Sequence, residues 1–336
     1  MKKIPFIIAE MSGNHNHSLE RAIKIIEVAA QSGVDAVKLQ TYTADTLTID
    51  KKDGEFFISD TNSPWHGQSL YELYQKAYTP WEWHEKLFAR CKELGLMCFS
   101  TPFDTTAVDF LEKINCPCYK IASFENVDLK LIKRAAQTKK PMIVSTGMAD
   151  IAELDALVKT ARENGCEDLT LLKCVSNYPA TPEGFNLRTL PHMKDLFKCE
   201  VGLSDHTLGI GVSIAAVALG AAVIEKHFTL SRAEGGVDSA FSMEPQEMAA
   251  LVRECKAAYR ALGKVSYEIS AQESKSGRRS LYIVEDMKKG DVLTEKNLRS
   301  IRPGYGLAPK YFDDVLGLKV TTDVKRGTAL NWNILK

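Results

Sequence analysis

The stretch CEVGLSDHTLGIGVSIAAVALGAAVIEKHF, residues 199–228, decides the fold. It reads as a short apolar run at 199–203, a helical stretch, and a second apolar run at 221–227. Each run leads to a histidine: His206 in Gly202-Leu203-Ser204-Asp205-His206-Thr207, and His227 in Glu225-Lys226-His227-Phe228. Parallel strands joined by helices bring their carboxyl ends to one face, so two imidazoles on neighbouring strands can converge on a cation there. Taken singly, either imidazole could instead satisfy a buried polar contact.

The same unit recurs along the chain, with apolar runs at 4–9, 34–39, 96–100, 117–122, 141–145, 169–174, 199–203 and 221–227. Eight strand-helix units predict a closed (β/α)8 TIM barrel; a doubly wound open sheet has the same alternation, and sequence does not show closure. The helical stretch at 18–32 is typical, with Ile23, Ile26, Ala30 and their neighbours at helical spacing ahead of Gly33. The interval from Thr41 to Pro80 breaks the pattern and carries Trp65, His66, Gly67, Tyr71 and Tyr74 before Trp81 and Trp83. It is expected to be an elaborated βα loop, either packed on its own aromatic residues or serving as a substrate lid.

After the helix ending near Leu262 the chain turns polar and weakly periodic, which predicts a barrel domain at 1–265, a linker at 266–279 and a small β-rich domain at 280–336. That last module holds an internal echo, 286–294 against 323–331, whose two copies both look like tight turns leading into short strands. A module of about 55–60 residues is marginal alone, so it is expected to pack on the barrel or on a partner subunit.

Forty-three basic and 43 acidic residues balance, which argues against nucleic acid or an anionic membrane as partner and in favour of a small molecule. Eight scattered cysteines, with only Cys116 and Cys118 close together, predict free thiols in a reducing compartment rather than a disulfide framework. The apolar run at 4–9 is too short for a signal peptide, and no stretch is long enough to span a bilayer, so a cytoplasmic protein is expected.

Polar side chains gather where the predicted strands stop. Glu10 follows the first, Lys38 and Gln40 the second, Ser100 and Thr101 the third, and Lys120 and Ser123 the fourth. Ser145, Thr146 and Gly147 close the fifth; Cys174, Ser176, Asn177 and Tyr178 follow the sixth; Ser204 and His206 the seventh; His227 the eighth. Two lysines among hydroxyls suit a phosphate or carboxylate, and a barrel has no structural reason to put cations in apolar surroundings at its strand ends.

The segments Ile8-Ala9-Glu10-Met11-Ser12-Gly13-Asn14-His15-Asn16, Lys38-Leu39-Gln40-Thr41, Ser100-Thr101-Pro102-Phe103, Lys120-Ile121-Ala122-Ser123 and Ser145-Thr146-Gly147-Met148, followed by the two histidine segments, make the chain resemble the sialic acid synthase family. The resemblance extends into the tail, where Arg279-Ser280-Leu281 through Arg302-Pro303-Gly304 is similar to the antifreeze-like (SAF) domain of those enzymes. Within the family, Glu10-Met11-Ser12-Gly13-Asn14-His15-Asn16, Tyr42-Thr43-Ala44-Asp45-Thr46 and the segment from Ser69 through His84 look most like the pseudaminic acid synthase branch.

The resemblance implies a condensation of phosphoenolpyruvate with 2,4-diacetamido-2,4,6-trideoxy-altrose, in a homodimer whose antifreeze-like domain covers the partner's site. It also implies a divalent cation, manganese ahead of magnesium or cobalt, held by His206 and His227. Lys38, Thr101, Lys120, Ser123, Ser145, Ser176 and Ser204 would hold phosphoenolpyruvate. Gln40, Glu125, Tyr178 and Asp238 would face the sugar, and Arg302 would reach the partner subunit's site. Glu10 would sit at the reacting centre, positioning or deprotonating the water that adds there, or stabilising the cationic carbon. The chain departs from the family at Ser176-Asn177-Tyr178-Pro179, where the asparagine is displaced by one residue, so the ligand contact is assigned to Ser176. Sister synthases making neuraminic or legionaminic acid, and a sugar-binding protein that has lost catalysis, are the alternatives. His15, His17, His66, His84 and His192 are expected to be non-catalytic.

Overall fold

The computed structural model describes residues 4–269 and 273–336. Residues 270–272 of the expected linker and 1–3 of the expected barrel domain lie outside the described residues. The chain divides into two compact units, Met1–Gly263 and Lys264–Lys336.

In the first unit eight parallel strands close into a barrel in chain order: β1 (Phe6–Glu10), β2 (Ala36–Thr41), β3 (Met97–Pro102), β4 (Tyr119–Ile121), β5 (Met142–Ser145), β6 (Leu169–Cys174), β7 (Glu200–Ser204) and β8 (Val223–His227). Closure is made by β1 on β8, from Phe6 opposite Val223 to Glu10 opposite His227. The strands are near-continuous buried runs because helices cover them outside and side chains fill them inside. The fourth strand is shorter than the run at 117–122, since Pro117 has no N–H for a ladder and pairing resumes only at Tyr119.

Gly202 shows how tightly the barrel is filled. A Cβ there would meet the Val223 carbonyl oxygen at 2.3 Å and Leu172 Cδ2 at 2.6 Å. Gly202→Ala is therefore expected to cost about 1–3 kcal/mol by overpacking, seen as a lower urea midpoint at unchanged m value.

Helix α1 (Leu19–Gln31) starts at Ser18, whose hydroxyl accepts from the Arg21 N–H, and buries Ala22, Ile25, Ile26 and Ala29. Of Ile23, Ile26 and Ala30 in the expected stripe, only Ile26 is in the buried row, because isoleucines at 23, 25 and 26 offer two apolar faces and packing selects one.

The interval after β2 is ordered, with helix α2 (Ala44–Leu47) and helix α3 (Leu70–Ala77). The capping box of α3 pairs Ser69 with Glu72. Both ends of the interval are pinned by His84, whose Nε2 lies 2.8 Å from Thr41 Oγ1 and whose Nδ1 lies 3.3 Å from the Pro80 carbonyl oxygen. Burial holds His84 at a pKa of about 4, so this clamp is neutral.

The second unit pairs β9 (Ser280–Ile283) with β10 (Leu298–Ile301), antiparallel, over a core of Leu281, Ile283, Met287, Leu293, Leu298, Val315, Val320, Val324 and Leu330. Its two echoing segments bind each other reciprocally. Met287 and Val324 exchange two backbone bonds of 2.9 Å. Lys288 pairs with Asp323 at 2.7 Å and Lys325 with Asp286 at 2.6 Å. The sequence echo is therefore a local two-fold, each copy closing the other's turn.

The eight cysteines are free thiols. No helix among the described residues is long and apolar enough to cross a membrane.

Candidate active site

The register of the barrel gathers the strand-end side chains into one cavity of about 360 Å³. In strands a two-residue period sets the facing direction, so Lys38 and Gln40 share a face of β2, and Glu225 and His227 share a face of β8. Glu10, Lys38, Gln40, Lys120, Ser123, Glu125, Ser145, Tyr178, Ser204, His206, His227 and Asp238 all line this cavity.

Its charged floor is a buried network of two lysines and two carboxylates. Lys38 Nζ lies 2.9 Å from Glu10 Oε2 and 3.3 Å from Glu225 Oε1, and it donates to Thr101 Oγ1 at 3.1 Å. Lys120 Nζ lies 3.7 Å from the same Glu225 oxygen and donates to Ser145 Oγ at 2.6 Å. Thr101 thus stands behind Lys38 and fixes it, while the ammonium faces the cavity. Gln40 donates to Glu10 Oε1 at 2.9 Å, and Ser204 donates to Glu225 Oε1 at 3.3 Å.

Burial raises Glu10 to a pKa of about 7 against the pull of Lys38, with Glu225 adding to the rise. Burial acts on Lys38 in the opposite sense, yet Glu10 and Glu225 together hold its pKa above the usual value. Lys120 is pushed down, burial outweighing Glu225.

The imidazoles stand beside this floor, ring centres 5.4 Å apart. His206 Nδ1 is 2.9 Å from the Val175 carbonyl, which places the ring proton there and leaves the Nε2 lone pair for a ligand. Burial opposes charge on His206, but Cys174, the Val175 carbonyl and Glu225 outweigh it and raise its pKa. His227 is kept neutral, well below the usual imidazole value, by burial and by the cations around it. Among the described residues its buried Nδ1 has no hydrogen-bond partner, and Asp238 Oδ2 lies 3.9 Å away, itself bonded by Ser12 Oγ. Burial raises Asp238 to about 6.

Both ring-bearing segments are braced from outside. Asp205 and Lys226, each next to one of the histidines, form a buried pair at 3.1 Å. Lys226 also donates to the carbonyls of Thr207 and Gly209, and Asp205 accepts from Ser213. The Nε2 of His206, oriented through Nδ1 by the Val175 carbonyl, and the neutral ring of His227 suit a borderline divalent cation, whose binding at His206 favours the deprotonated nitrogen. Among the described residues no group of three or more His, Cys, Asp or Glu side chains is arranged to hold a metal. A cation would therefore rest on His206 and His227 and leave its other positions to substrate or water.

Among the described residues several acceptors around the cavity lack partners: Glu225 Oε2, Glu125 Oε2 and Ser176 Oγ join His227 Nδ1 in being buried without a hydrogen bond. Glu10 Oε2 has the Lys38 ammonium, 2.9 Å away, as its ion-pair partner. Burial raises Glu125 to about 7. Ser176 reaches this region over Gly147, where a Cβ would meet Ser176 Oγ at 2.3 Å and Ser123 Oγ at 2.7 Å. Asn177, its neighbour, is exposed. Arg302 is exposed and belongs to the second unit.

Two contributors escaped the sequence reading. Glu225 joins both lysines, and strand alternation from His227 was the signal that could have found it. Ser12, which holds Asp238, sits in a positive-φ turn with no strand or helix pattern to expose it. His15, by contrast, is structural: it accepts from the His17 N–H at 3.1 Å, contacts Thr79 at 3.2 Å and is held at about 3 by burial.

The interval after β2 supplies part of the cavity wall, and Trp65 ties it across by donating to the Val237 carbonyl at 2.8 Å. Buried ion pairs that only stabilise a fold are usually satisfied; here unpartnered acceptors crowd a cavity at the carboxyl ends of barrel strands. Buried lysines at such a cavity suit a small anionic ligand and the unpartnered acceptors suit a polar one that donates hydrogen bonds, which is the pattern of a barrel enzyme's site.

Comparison with known proteins narrows the class. The chain belongs to the NeuB family, whose model matches residues 25–267, and residues 278–336 match the SAF domain. It is 43% identical over 334 residues, 98% of each chain, to a pseudaminic acid synthase from Helicobacter pylori. To an N,N'-diacetyllegionaminic acid synthase from Campylobacter jejuni it is 38% identical over 331 residues, 97% of this chain and 98% of that one. A crystal structure of N-acetylneuraminic acid synthetase from Leptospira borgpetersenii, in complex with citrate, superposes with a TM-score of 0.72 at 30% identity, covering 80% of this chain and 89% of that one.

Proposed function

We propose that this protein condenses phosphoenolpyruvate with 2,4-diacetamido-2,4,6-trideoxy-β-L-altropyranose and water, releasing pseudaminic acid and phosphate. The observation that carries this reading is the buried pair Lys38 and Lys120 beside unpartnered acceptors, a floor suited to a multiply charged anion and a polar co-substrate. The choice of sugar is supported by 43–44% identity to pseudaminic acid synthases, against 38% to the legionaminic acid synthase.

Lys38 and Lys120 hold the phosphate and carboxylate of phosphoenolpyruvate, with Ser123, Ser145 and Ser176 donating hydroxyls and Ser204 exchanging its hydrogen bond to Glu225 for one to the substrate. A divalent cation, manganese by preference, bound by His206 and His227 would supply Lewis-acid polarisation of the sugar aldehyde. The phosphoenolpyruvate methylene carbon attacks that aldehyde, and positive charge develops at the carbon bearing the phosphate ester. Glu10, fixed by Gln40 and with a pKa near neutrality, takes a proton from the water that adds there, and a proton is taken up by the former aldehyde oxygen; the C–O bond to phosphate then breaks as the added hydroxyl becomes the new carbonyl, its proton leaving with phosphate. Glu125 and Asp238 accept hydrogen bonds from the sugar, and Tyr178, its ring centre 4.4 Å from that of His206 and tilted 40° to it, covers it.

Phosphate release from phosphoenolpyruvate should require the sugar and should vanish on chelation, returning with manganese. Release in the presence of chelator would remove the metal from the scheme. The reading extends to a cytoplasmic homodimer in which the second unit covers the partner's cavity, with Arg302 reaching the sugar. Arg302→Ala should then raise the sugar KM by about tenfold, as for loss of a charged hydrogen bond, with the dimer intact by ultracentrifugation. An unchanged KM would contradict it.

A further inference from the structure

The cavity has a charged region from the strand ends and an apolar region from the interval after β2. Leu47 of α2, Ile58, and Leu70, Leu73 and Ala77 of α3 line the latter, and Phe103 after β3 extends it. Leu47, Ile58 and Leu70 are only half-buried although they line a cavity, so their methyl groups present apolar surface to whatever occupies it. Polar groups are scarce on this wall. The Trp65 indole N–H is committed to Val237, which leaves the hydroxyls of Tyr42, Ser63 and Tyr74 as that segment's polar groups in the lining. The Tyr42 ring is itself held edge-on by Tyr74 and Phe103, with ring centres 5.9 and 5.0 Å away.

In the condensation proposed above, the aldehyde carbon must meet phosphoenolpyruvate at the charged region. The far end of the sugar chain, C6, is then the part directed away from that region. A methyl group there is stabilised against Leu47, Ile58 and Leu70, whereas a hydroxyl would give up water to face aliphatic side chains that offer it no hydrogen bond. We infer that this aliphatic wall selects the substrate by its C6 methyl group and discriminates against sugars carrying a C6 hydroxyl. The inference rests on the functional reading above and adds to it the residues that set specificity.

The test compares kcat/KM for the 6-deoxy diacetamido sugar and its 6-hydroxy counterpart of identical configuration, in the unaltered enzyme and in Ile58→Asn and Leu47→Asn. The unaltered enzyme should favour the 6-deoxy sugar by roughly 10–100-fold, the range open to an apolar pocket facing an added hydroxyl. Each variant should bring the two sugars to within about threefold, as the asparagine amide supplies the missing partner. Turnover of the 6-hydroxy sugar by the variants shows that they remain folded. Equal use of both sugars by the unaltered enzyme, or a ratio unchanged in both variants, would overturn the inference. No turnover of any acetamido sugar by the unaltered enzyme would instead overturn the functional reading beneath it.

Discussion

Lys38→Met is expected to lower kcat/KM for phosphoenolpyruvate by about 10³-fold. The ammonium lies within 3.3 Å of both Glu10 and Glu225, and all three side chains are buried. Removing it deletes one of two cations for the substrate and leaves two carboxylates facing each other in a poorly solvated space. Breaking a buried charge pair costs about 3–5 kcal/mol, because the remaining charge keeps its desolvation penalty. Lys38→Arg should not rescue the loss: the site is closed, and a planar guanidinium cannot meet Glu10, Glu225 and Thr101 with the geometry of a compact ammonium. Steady-state kinetics with phosphoenolpyruvate as the varied substrate checks this, and a loss under tenfold would contradict the role given to Lys38.

Glu10→Gln separates binding from chemistry. The substitution conserves volume and lets Gln40 keep an acceptor, but it removes the base, so kcat should fall by about 10²–10⁴-fold. The KM for phosphoenolpyruvate should stay level or decrease, since a negative charge has left the neighbourhood of Lys38. The pH dependence follows from the same group. Burial lifts Glu10 from 4.5 to about 7, so the fraction able to accept a proton falls as pH drops below 7, and kcat/KM should decline on that side. The limb should be missing in Glu10→Gln. A profile flat from pH 8 to pH 5.5 in the unaltered enzyme would show that Glu10 is not the base.

Much of this site was legible from strand ends, because a parallel barrel converts a one-dimensional pattern, polar residue after apolar run, into one shared mouth. Closure was not legible: only the pairing of Phe6–Glu10 with β8 distinguishes the barrel from an open sheet, and pairing between the chain's first and last strands leaves no local mark. Glu225 went unnoticed beside His227 although the two share a strand face, and Lys226 between them points instead to Asp205. Thr101 was expected against substrate, and the structure puts it behind Lys38, a depth that periodicity cannot give. The wall built by Leu47, Ile58 and Leu70 depends on how a long interval folds back over the cavity. Its aromatic residues signalled an ordered segment without saying which side chains would face inward.

The central claim is that the cavity condenses phosphoenolpyruvate with a diacetamido-altrose sugar, and kcat/KM for phosphate release across a panel of acetamido sugars tests it most directly. With manganese present, 2,4-diacetamido-2,4,6-trideoxy-β-L-altropyranose should be turned over at least about tenfold better than its 2,4-diacetamido epimers or N-acetylmannosamine, a margin within the reach of pocket contacts. The product should have the mass of pseudaminic acid. Faster release with another sugar would reassign the substrate, and no release with any of them would contradict the account.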